Sequence, residues 1–489
     1  LRILFVTSEA YPLIKTGGLA DVSGSLPTAL RKLKADTRIL IPGYPQVLAK
    51  CKSLANILEL DFIPQIGNVT LLKGEMPDTD VPVYVIKCAS LYEREGGPYQ
   101  NPQGQDWTDN ALRFGVLSHV AAVLGAAFSP LDWHPDIVHC NDWQSGLTPA
   151  ILHFFGTARA KTVLGIHNLA YQGIFDPSWV GRLGLPAHSF QPFGLEFYGQ
   201  MSFLKAGVFY ADRIITVSPT YAKEIQTAEY GYGMEGLLSS KRDNLYGILN
   251  GIDTNEWNPA IDPHLTCRYD QQHLEQKQAG KLALQTRLDL EHDAEAPLLA
   301  VVSRMAHQKG LDILLDCASS LVHEGAQLAI LGNGDPTLEY GFNQLAKAHP
   351  GRVSVTVGYS ESLSHQIMAG ADIFLMPSRF EPCGLNQMYG LAYGTPPVVR
   401  KTGGLADSVV DAETDPADGV TLKNPEIASG FVFEEATPAA FLACTQRAIK
   451  LFKHKQAWST LQLNGMKQDL SWAPSAKQYL AIYRTLLKS

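Results

Sequence analysis

The feature that most limits the folds open to this chain is an alternation. Short runs of consecutive apolar residues recur between longer stretches with helical spacing. In the second half, Leu298–Ser303, Gln327–Leu331, Val353–Val357, Asp372–Met376 and Pro397–Arg400 read as strands. Gly310–Val322, Leu338–His349, Ser362–Ala369 and Asn386–Tyr393 read as the helices between them. A strand that is apolar on both faces needs cover on both faces, which a parallel sheet with crossover helices provides. Such a doubly wound α/β domain binds ligands outside the carboxyl ends of its strands. The first half repeats the theme, with strands at Arg2–Thr7, Thr37–Ile41, Asp136–Cys140, Thr162–His167 and Arg213–Val217. Its helices fall at Leu19–Leu33, Ala111–Phe128 and from Ser145, and Asn68–Gly74 with Val81–Cys88 reads as an inserted hairpin.

At 489 residues the chain exceeds one ordinary core, and two domains of about 200–250 residues fit its size. Around Leu245–Pro259 the pattern breaks into turn-rich sequence, Asn250-Gly251-Ile252-Asp253 and then Trp257-Asn258-Pro259, and Asp262–Gln285, polar and helix-prone, reads as a connector. The expected division is 1–250, 251–470 and a C-terminal helix over 471–489. The net charge of −8 argues against a nucleic-acid partner but not against a small anion held by a few placed cations. Seven scattered cysteines, with no Cys-x-x-Cys spacing, argue against a disulfide framework or a zinc site and for a reducing compartment. No apolar run approaches the ~20 residues that span a bilayer. The chain reads as opening directly into a strand with no signal-peptide pattern, and its first residue is Leu rather than Met, as where an upstream segment is removed or left out.

One heptapeptide, Lys-Thr-Gly-Gly-Leu-Ala-Asp, occurs at Lys15–Asp21 and again at Lys401–Asp407, each time between an apolar strand and a helical pattern. Paired glycines there serve either a backbone that approaches a ligand at a helix N-terminus or a close helix–strand packing.

The carboxyl-edge rule selects further residues. Arg304 ends one strand and Lys309 begins the next helix, so a fixed guanidinium and a mobile ammonium share one edge, a receptor suited to a diphosphate. Tyr359, after Gly358, offers a ring for stacking. Pro377 to Leu385 carries Glu381 on a turn braced by Pro and Gly, where an acid can accept from sugar hydroxyls and the Gly384 and Leu385 amides face a phosphate. In the first half His167-Asn168 and Asn141-Asp142-Trp143 stand at strand ends beside Lys15 to Gly18. Gly231 to Gly236 has the spacing of a dinucleotide fingerprint but follows a helix-like segment, which argues against a nicotinamide enzyme.

Ser8-Glu9 with Lys15–Asp21, His167-Asn168, Asn250–Asp253, Ser303-Arg304 with Gln308-Lys309-Gly310, Gly358-Tyr359 and Ser378–Leu385 together resemble the bacterial glycogen synthases and plant starch synthases of glycosyltransferase family 5. The resemblance covers essentially the whole chain, and the heptapeptide and Arg-Phe-Glu-Pro-Cys-Gly-Leu are specific to that family. It implies a GT-B fold of two Rossmann-like domains facing an interdomain cleft, with the glucan on the N-terminal side, the nucleotide sugar on the C-terminal side and the last helix crossing back. It implies transfer of glucose from ADP-glucose to the non-reducing 4-hydroxyl of an α-1,4-glucan (glycogen, starch or malto-oligosaccharides), with retention and with no cofactor or essential metal.

By the same resemblance Lys15 and the Gly17 and Gly18 amides meet the donor phosphates, and Arg304 and Lys309 hold the diphosphate. Tyr359 stacks on adenine, and Glu381, Cys383 and Gly384 line the glucosyl site. His167, Asn168 and Asn250 contact the transferred sugar, and Asp142 and Tyr99 lie near donor or acceptor. Glu9, Asp21 and Leu385 complete the substrate-binding set, while His167, Glu381, Lys309, Arg304 and Lys15 form the catalytic one. With cations on both domains, closure becomes a condition for reaction. Three positions depart from or qualify the pattern: Asn141 stands where the family has His, Asn386 where Thr is usual, and Tyr389 where related GT-B transferases often carry a second Glu. The alternatives are the same transfer from UDP-glucose, an α-glucan phosphorylase, which needs a pyridoxal phosphate lysine and a longer chain, and a non-catalytic glucan-binding protein. The implied compartment is the bacterial cytoplasm or, alternatively, the plastid stroma, and the oligomeric state is left open.

Overall fold

A computed structural model describes residues 1–156 and 159–488. Ser489, the end of the expected C-terminal helix, lies outside them. The backbone separates into two units, Leu1–Gly251 with Trp472–Ser489, and Ile252–Ser471.

In the first unit nine strands form one sheet in the order Leu245–Gly247, Arg213–Thr216, Lys161–Ile166, Ile137–Asn141, Arg2–Val6, Asp36–Pro42, Pro82–Lys87, Gly67–Glu75 and Lys52–Ile63. Every pairing is parallel except the two made by Gly67–Glu75. Arg2–Val6 has Asp36–Pro42 on one side and Ile137–Asn141 on the other, so the chain's winding reverses there. The crevice at that reversal is where an open α/β sheet takes its ligand. Helix Gly18–Lys32 covers one face through Val22, Leu26 and Leu30, which meet Trp472, Ala476, Tyr479 and Tyr483 of helix Trp472–Leu486. Each buried side chain of this size contributes about 1.5–3 kcal/mol, enough to dock the last helix on the first.

The hairpin expected at Asn68–Gly74 and Val81–Cys88 exists, but it is not an insertion. Pro82–Lys87 pairs in parallel with Asp36–Pro42, and Lys52–Ile63 adds a further edge strand. That edge strand is largely exposed along Lys52–Glu59, so it carries little of the apolar pattern that marks a strand in sequence.

The second unit is a six-stranded sheet, all parallel, in the order Val353–Val357, Gln327–Gly332, Leu298–Val302, Ile373–Met376, Pro397–Arg400 and Phe431–Phe433. Numbered along the chain this is 3-2-1-4-5-6, the Rossmann order, with its switch point between Leu298–Val302 and Ile373–Met376. The short sixth strand was not expected. Its crossover helices begin with chemical stops: Asp335 accepts from Thr337 N at 2.7 Å ahead of Pro336, and Thr437 caps the helix opened by Pro438.

Asp262–Gln285 is not a connector. Lys277 donates to Ala369 O at 2.6 Å and Thr395 Oγ1 at 2.7 Å, Lys281 pairs with Asp372 at 2.7 Å, and Asp262 binds His365 Nδ1 at 2.7 Å, all of them buried. Polar residues pattern the helix Lys277–Arg287 because Lys277 and Lys281 on its buried face reach carbonyls and a carboxylate. No helix among the described residues is long and apolar enough to cross a membrane.

Candidate active site

Both strands that flank the second unit's switch point run into ionisable residues. After Leu298–Val302 come Ser303-Arg304 and a tight turn, His307–Lys309. Gly310 follows at φ 64°, and a Cβ there would stand 2.0 Å from the Pro377 carbonyl oxygen, so only glycine lets this turn close on the neighbouring strand's exit. That closure brings Lys309 Nζ to 2.6 Å from Glu381 Oε2, and Ser378 Oγ donates to the same oxygen at 3.2 Å. Gln308 ties the segments again, donating from Nε2 to Phe380 O and accepting from Arg379 N through its carbonyl. Arg379 is held in a bidentate pair with Asp312, at 2.7 and 2.6 Å.

The expected mobilities of the two cations are reversed. Lys309 lies on the clamped turn, not at the helix start, and is anchored by Glu381, whereas Arg304 is exposed and makes no ion pair among the described residues. Beyond Glu381, Gly384 sits at φ 70°, and Gln387 Nε2 donates to Cys383 O, Gly384 O and Ser408 Oγ, each at 3.0 Å. These bonds hold the loop's shape while the Gly384 and Leu385 amides have no hydrogen-bond partner among the described residues. Asn386 donates to Val302 O at 2.6 Å, so the residue in place of the usual Thr braces the strand that leads to Arg304. Tyr389 stacks on Trp257 with centroids 3.7 Å apart, which makes it a packing residue. Tyr359 follows Gly358, is 68% exposed and hydrogen-bonds the Glu361 carboxylate.

In the first unit Glu9 is buried and its carboxylate organises the loop after Arg2–Val6. Oε2 accepts from Thr16 N at 2.5 Å and Gly17 N at 3.0 Å, and Oε1 accepts from Tyr99 OH at 2.8 Å. Burial pushes the Glu9 carboxyl above its ordinary range, against the pull of those three bonds. Tyr99 also meets Ser8 Oγ at 2.8 Å, so it positions Glu9. The Gly17 amide, expected at a phosphate, is here engaged by Glu9. Lys15 pairs with Asp21 at 2.8 Å and remains 39% exposed.

Asp142 takes φ 54°, a sparsely populated conformation for a residue other than glycine, and its Oδ1 accepts from His167 N at 2.7 Å. Burial raises its carboxyl to about 7. Asn141 Nδ2 donates to Val6 O at 2.9 Å, which identifies Oδ1 as the atom 2.9 Å from His167 Nε2. Burial holds the imidazole neutral, lowering it to about 4. Neutral His167 therefore carries its proton on Nε2 and offers Nδ1 as an acceptor. Asn168 follows directly, and its Oδ1 accepts from Ala170 N at 3.1 Å. Asn250 is buried, and its Oδ1 has no hydrogen-bond partner among the described residues. Among the described residues no hydrogen bond joins Arg304 or Tyr359 to Glu381 within the second unit, or Asn250 to Glu9 within the first.

The two heptapeptides differ in their surroundings. At Gly17 and Gly18 a Cβ would meet nothing within 4 Å among the described residues. At Gly403, φ 44°, it would fall 1.9 Å from Glu381 O, and at Gly404 2.1 Å from Cys383 O. Gly404 N donates to Glu381 O at 3.1 Å, while Lys401 pairs on the surface with Glu434 at 2.9 Å. The second copy thus buttresses the Glu381 turn, and the first presents open glycines. Ser378 and Asp312 act here without having been singled out individually; the signal was an acid in the first helical turn after Lys309, opposite an arginine on the next strand's exit.

Residues 2–240 match the family described as the starch synthase catalytic domain, and residues 285–458 match glycosyl transferases group 1. The glycogen synthase of Nitrosospira multiformis is 52% identical over 491 residues, covering 100% of this chain and 97% of that one. The glycogen synthase of Rhodospirillum rubrum is 45% identical over 488 residues, covering 100% and 99%. Among solved structures, the catalytic domain of starch synthase IV from Arabidopsis thaliana, bound to ADP and acarbose, superposes with a TM-score of 0.89 at 30% identity over 100% of both chains. A sucrose-phosphate synthase from Thermosynechococcus elongatus shares the fold, with a TM-score of 0.59 at 15% identity over 100% of this chain and 99% of that one.

Proposed function

The chain belongs to the glycogen and starch synthase family of GT-B glycosyltransferases, and we propose that it lengthens an α-1,4-glucan by moving glucose from ADP-glucose to the non-reducing 4-hydroxyl, with retention. The observation that carries the donor half is the Lys309–Glu381 pair. A nucleotide sugar joins a diphosphate to a polyhydroxylated ring through one C1–O–P link. Lys309 supplies a cation for the first, and Glu381, 2.6 Å away, supplies an acceptor for hydroxyls of the second. Receptors for the two parts thus lie one hydrogen bond apart, as that link requires.

When the C1–O bond to phosphate breaks, negative charge gathers on the departing diphosphate. Lys309, the exposed Arg304 and the unengaged Gly384 and Leu385 amides are the groups that take it up. The acceptor's 4-oxygen then bonds to C1 from the face the phosphate leaves, and its proton passes to a phosphate oxygen. ADP and a glucan longer by one glucose result, with the anomeric configuration kept. His167, neutral and with Nδ1 as acceptor, and Asn250, with a buried carbonyl oxygen to satisfy, suit sugar hydroxyls. The exposed Tyr359 ring suits a purine, and the ADP in the starch synthase IV structure supports the same donor. The bacterial relatives and seven free cysteines support a bacterial cytoplasmic setting.

The test incubates the protein with glycogen and either ADP-glucose or UDP-glucose, with and without a chelator. One ADP released per α-linked glucose added, insensitive to chelation, is the expected result. Faster transfer from UDP-glucose would overturn the donor assignment, and loss of transfer on chelation would overturn the assignment of charge neutralisation to protein groups alone.

A further inference from the structure

Two tyrosines of the first unit stand exposed on a constrained backbone. Tyr198 is 80% exposed and Tyr232 41% exposed, yet both hold a left-handed backbone, at φ 48° and 49°. Bulky side chains avoid that region because Cβ crowds the main chain, and such residues persist where neighbouring structure imposes them, often at ligand sites. Each is followed by a glycine at positive φ, Gly199 at 79° and Gly233 at 84°. The two Tyr-Gly pairs meet: a Cβ on Gly233 would fall 3.0 Å from the Tyr198 ring and 3.1 Å from that of Phe197. Both are fixed from outside, by Gly199 N donating to Glu196 Oε1 at 2.7 Å and by Gln172 Nε2 donating to Tyr232 O at 3.0 Å. Phe197 backs Tyr198 edge-on, with centroids 4.7 Å apart.

These rings continue from the candidate sugar site. Tyr171, 54% exposed, donates its amide to Asn168 O at 3.2 Å, and Leu169 N donates to Tyr221 OH at 3.0 Å. The loop that starts at His167-Asn168 therefore leads directly into Tyr171 and Gln172, and Gln172 holds Tyr232. A rigid, exposed aromatic face fits a ligand that is flat and apolar on one side and hydroxylated at its rim, and tyrosine offers that face at low entropic cost. Each glucose of an α-glucan is such a ligand, with C–H groups on the ring face and hydroxyls at the edge. The net charge of −8 argues against stacked nucleic acid in the same place.

We propose that Tyr198 and Tyr232, with Tyr171 beside them, form a stacking platform for glucose units of the acceptor chain beyond the one that reacts; the proposal rests on the glucan-elongation reading of the site. Glycine is the residue best suited to φ near 50°, so Tyr198→Gly and Tyr232→Gly remove the rings while relieving the backbone. Native electrophoresis through gels containing glycogen, with thermal melting of the same samples, provides the test. The double variant is expected to lose affinity for glycogen about tenfold at an unchanged or higher Tm, and Tyr198→Phe is expected to retain it. Variants that bind glycogen like the parent, or whose Tm falls with the rings, would overturn the platform while elongation by the parent stands. A parent that neither elongates nor binds glycogen would overturn the elongation reading and the platform with it.

Discussion

Asn141 shows how one neutral side chain sets the chemistry of another. Its amide nitrogen is committed to Val6 O, so its oxygen can only accept, and His167 is fixed with the proton on Nε2. In sequence Asn141 reads only as a departure from the family's His. Its partner stands 26 residues away, and the contact depends on Asn141 lying level with Gly165 in paired parallel strands. Gly165 leaves the space: a Cβ there would come 3.0 Å from Asn141 Oδ1 and 3.4 Å from His167 Nε2. Asn141→Asp keeps the size, gives up the donation to Val6 O and adds a charge that favours imidazolium. In the parent, His167 is expected to stay neutral down to about pH 4, and in Asn141→Asp to titrate at clearly higher pH, with the acid limb of the activity profile moving with it. NMR titration of the ring reads this, and an unmoved His167 would refute the tautomer assignment.

Among elements, the repeated heptapeptide separates what a motif says from what its surroundings say. Seven identical residues left two roles open, and the glycine environments assign one to each copy. Gly17→Ala adds a methyl to open space at φ −150°, a conformation any residue adopts, and is expected to leave stability within ~0.5 kcal/mol while lowering turnover. Gly403→Ala drives a Cβ toward Glu381 O at φ 44° and is expected to cost about 3 kcal/mol and to disturb Glu381. Denaturant melts beside glucan synthesis assays distinguish the two, and equal melts would contradict the division of roles. The same dependence on surroundings explains why Asp262–Gln285 misled. Burial of Lys277 and Lys281 is made possible by carbonyls and by Asp372 from distant segments, which local composition does not display. The central strands were legible because both their faces are buried and their apolar runs unbroken; the edge strands Lys52–Ile63 and Phe431–Phe433 were not, one largely exposed along Lys52–Glu59 and one three residues long.

Across the whole molecule, both units are doubly wound sheets, as the alternation of apolar runs and helices requires, and the groups at their edges were legible as types, though their pairings were not. The units also differ in buried histidines. In the first, burial lowers His139 to about 3 and His167 to about 4, below the ordinary 6.5. The unfolded chain therefore binds protons more readily, and this stability, full above about pH 6.5, is lost as pH falls toward 4. In the second, burial alone would lower His365, but hydrogen bonds to Asp262 and Glu361 carry it up to about 9. Its contribution is full below about pH 6.5 and lost as pH rises through 9. NMR titration of the three rings is expected to find His139 and His167 neutral at pH 6 and His365 still protonated there, losing its proton near pH 9. Opposite behaviour would contradict these charge states.

The central claim is that Lys309, held by Glu381 at the second unit's switch point, stabilises a departing diphosphate. Lys309→Gln tests it most directly, because the amide can still donate to Glu381 while the positive charge is gone. The measurement is ADP release from ADP-glucose in the presence of glycogen, beside the melting curve of the same preparation. The account predicts a ~100–1,000-fold fall in turnover at an essentially unchanged Tm. Glucan synthesis by Lys309→Gln at near the parent's rate would contradict it.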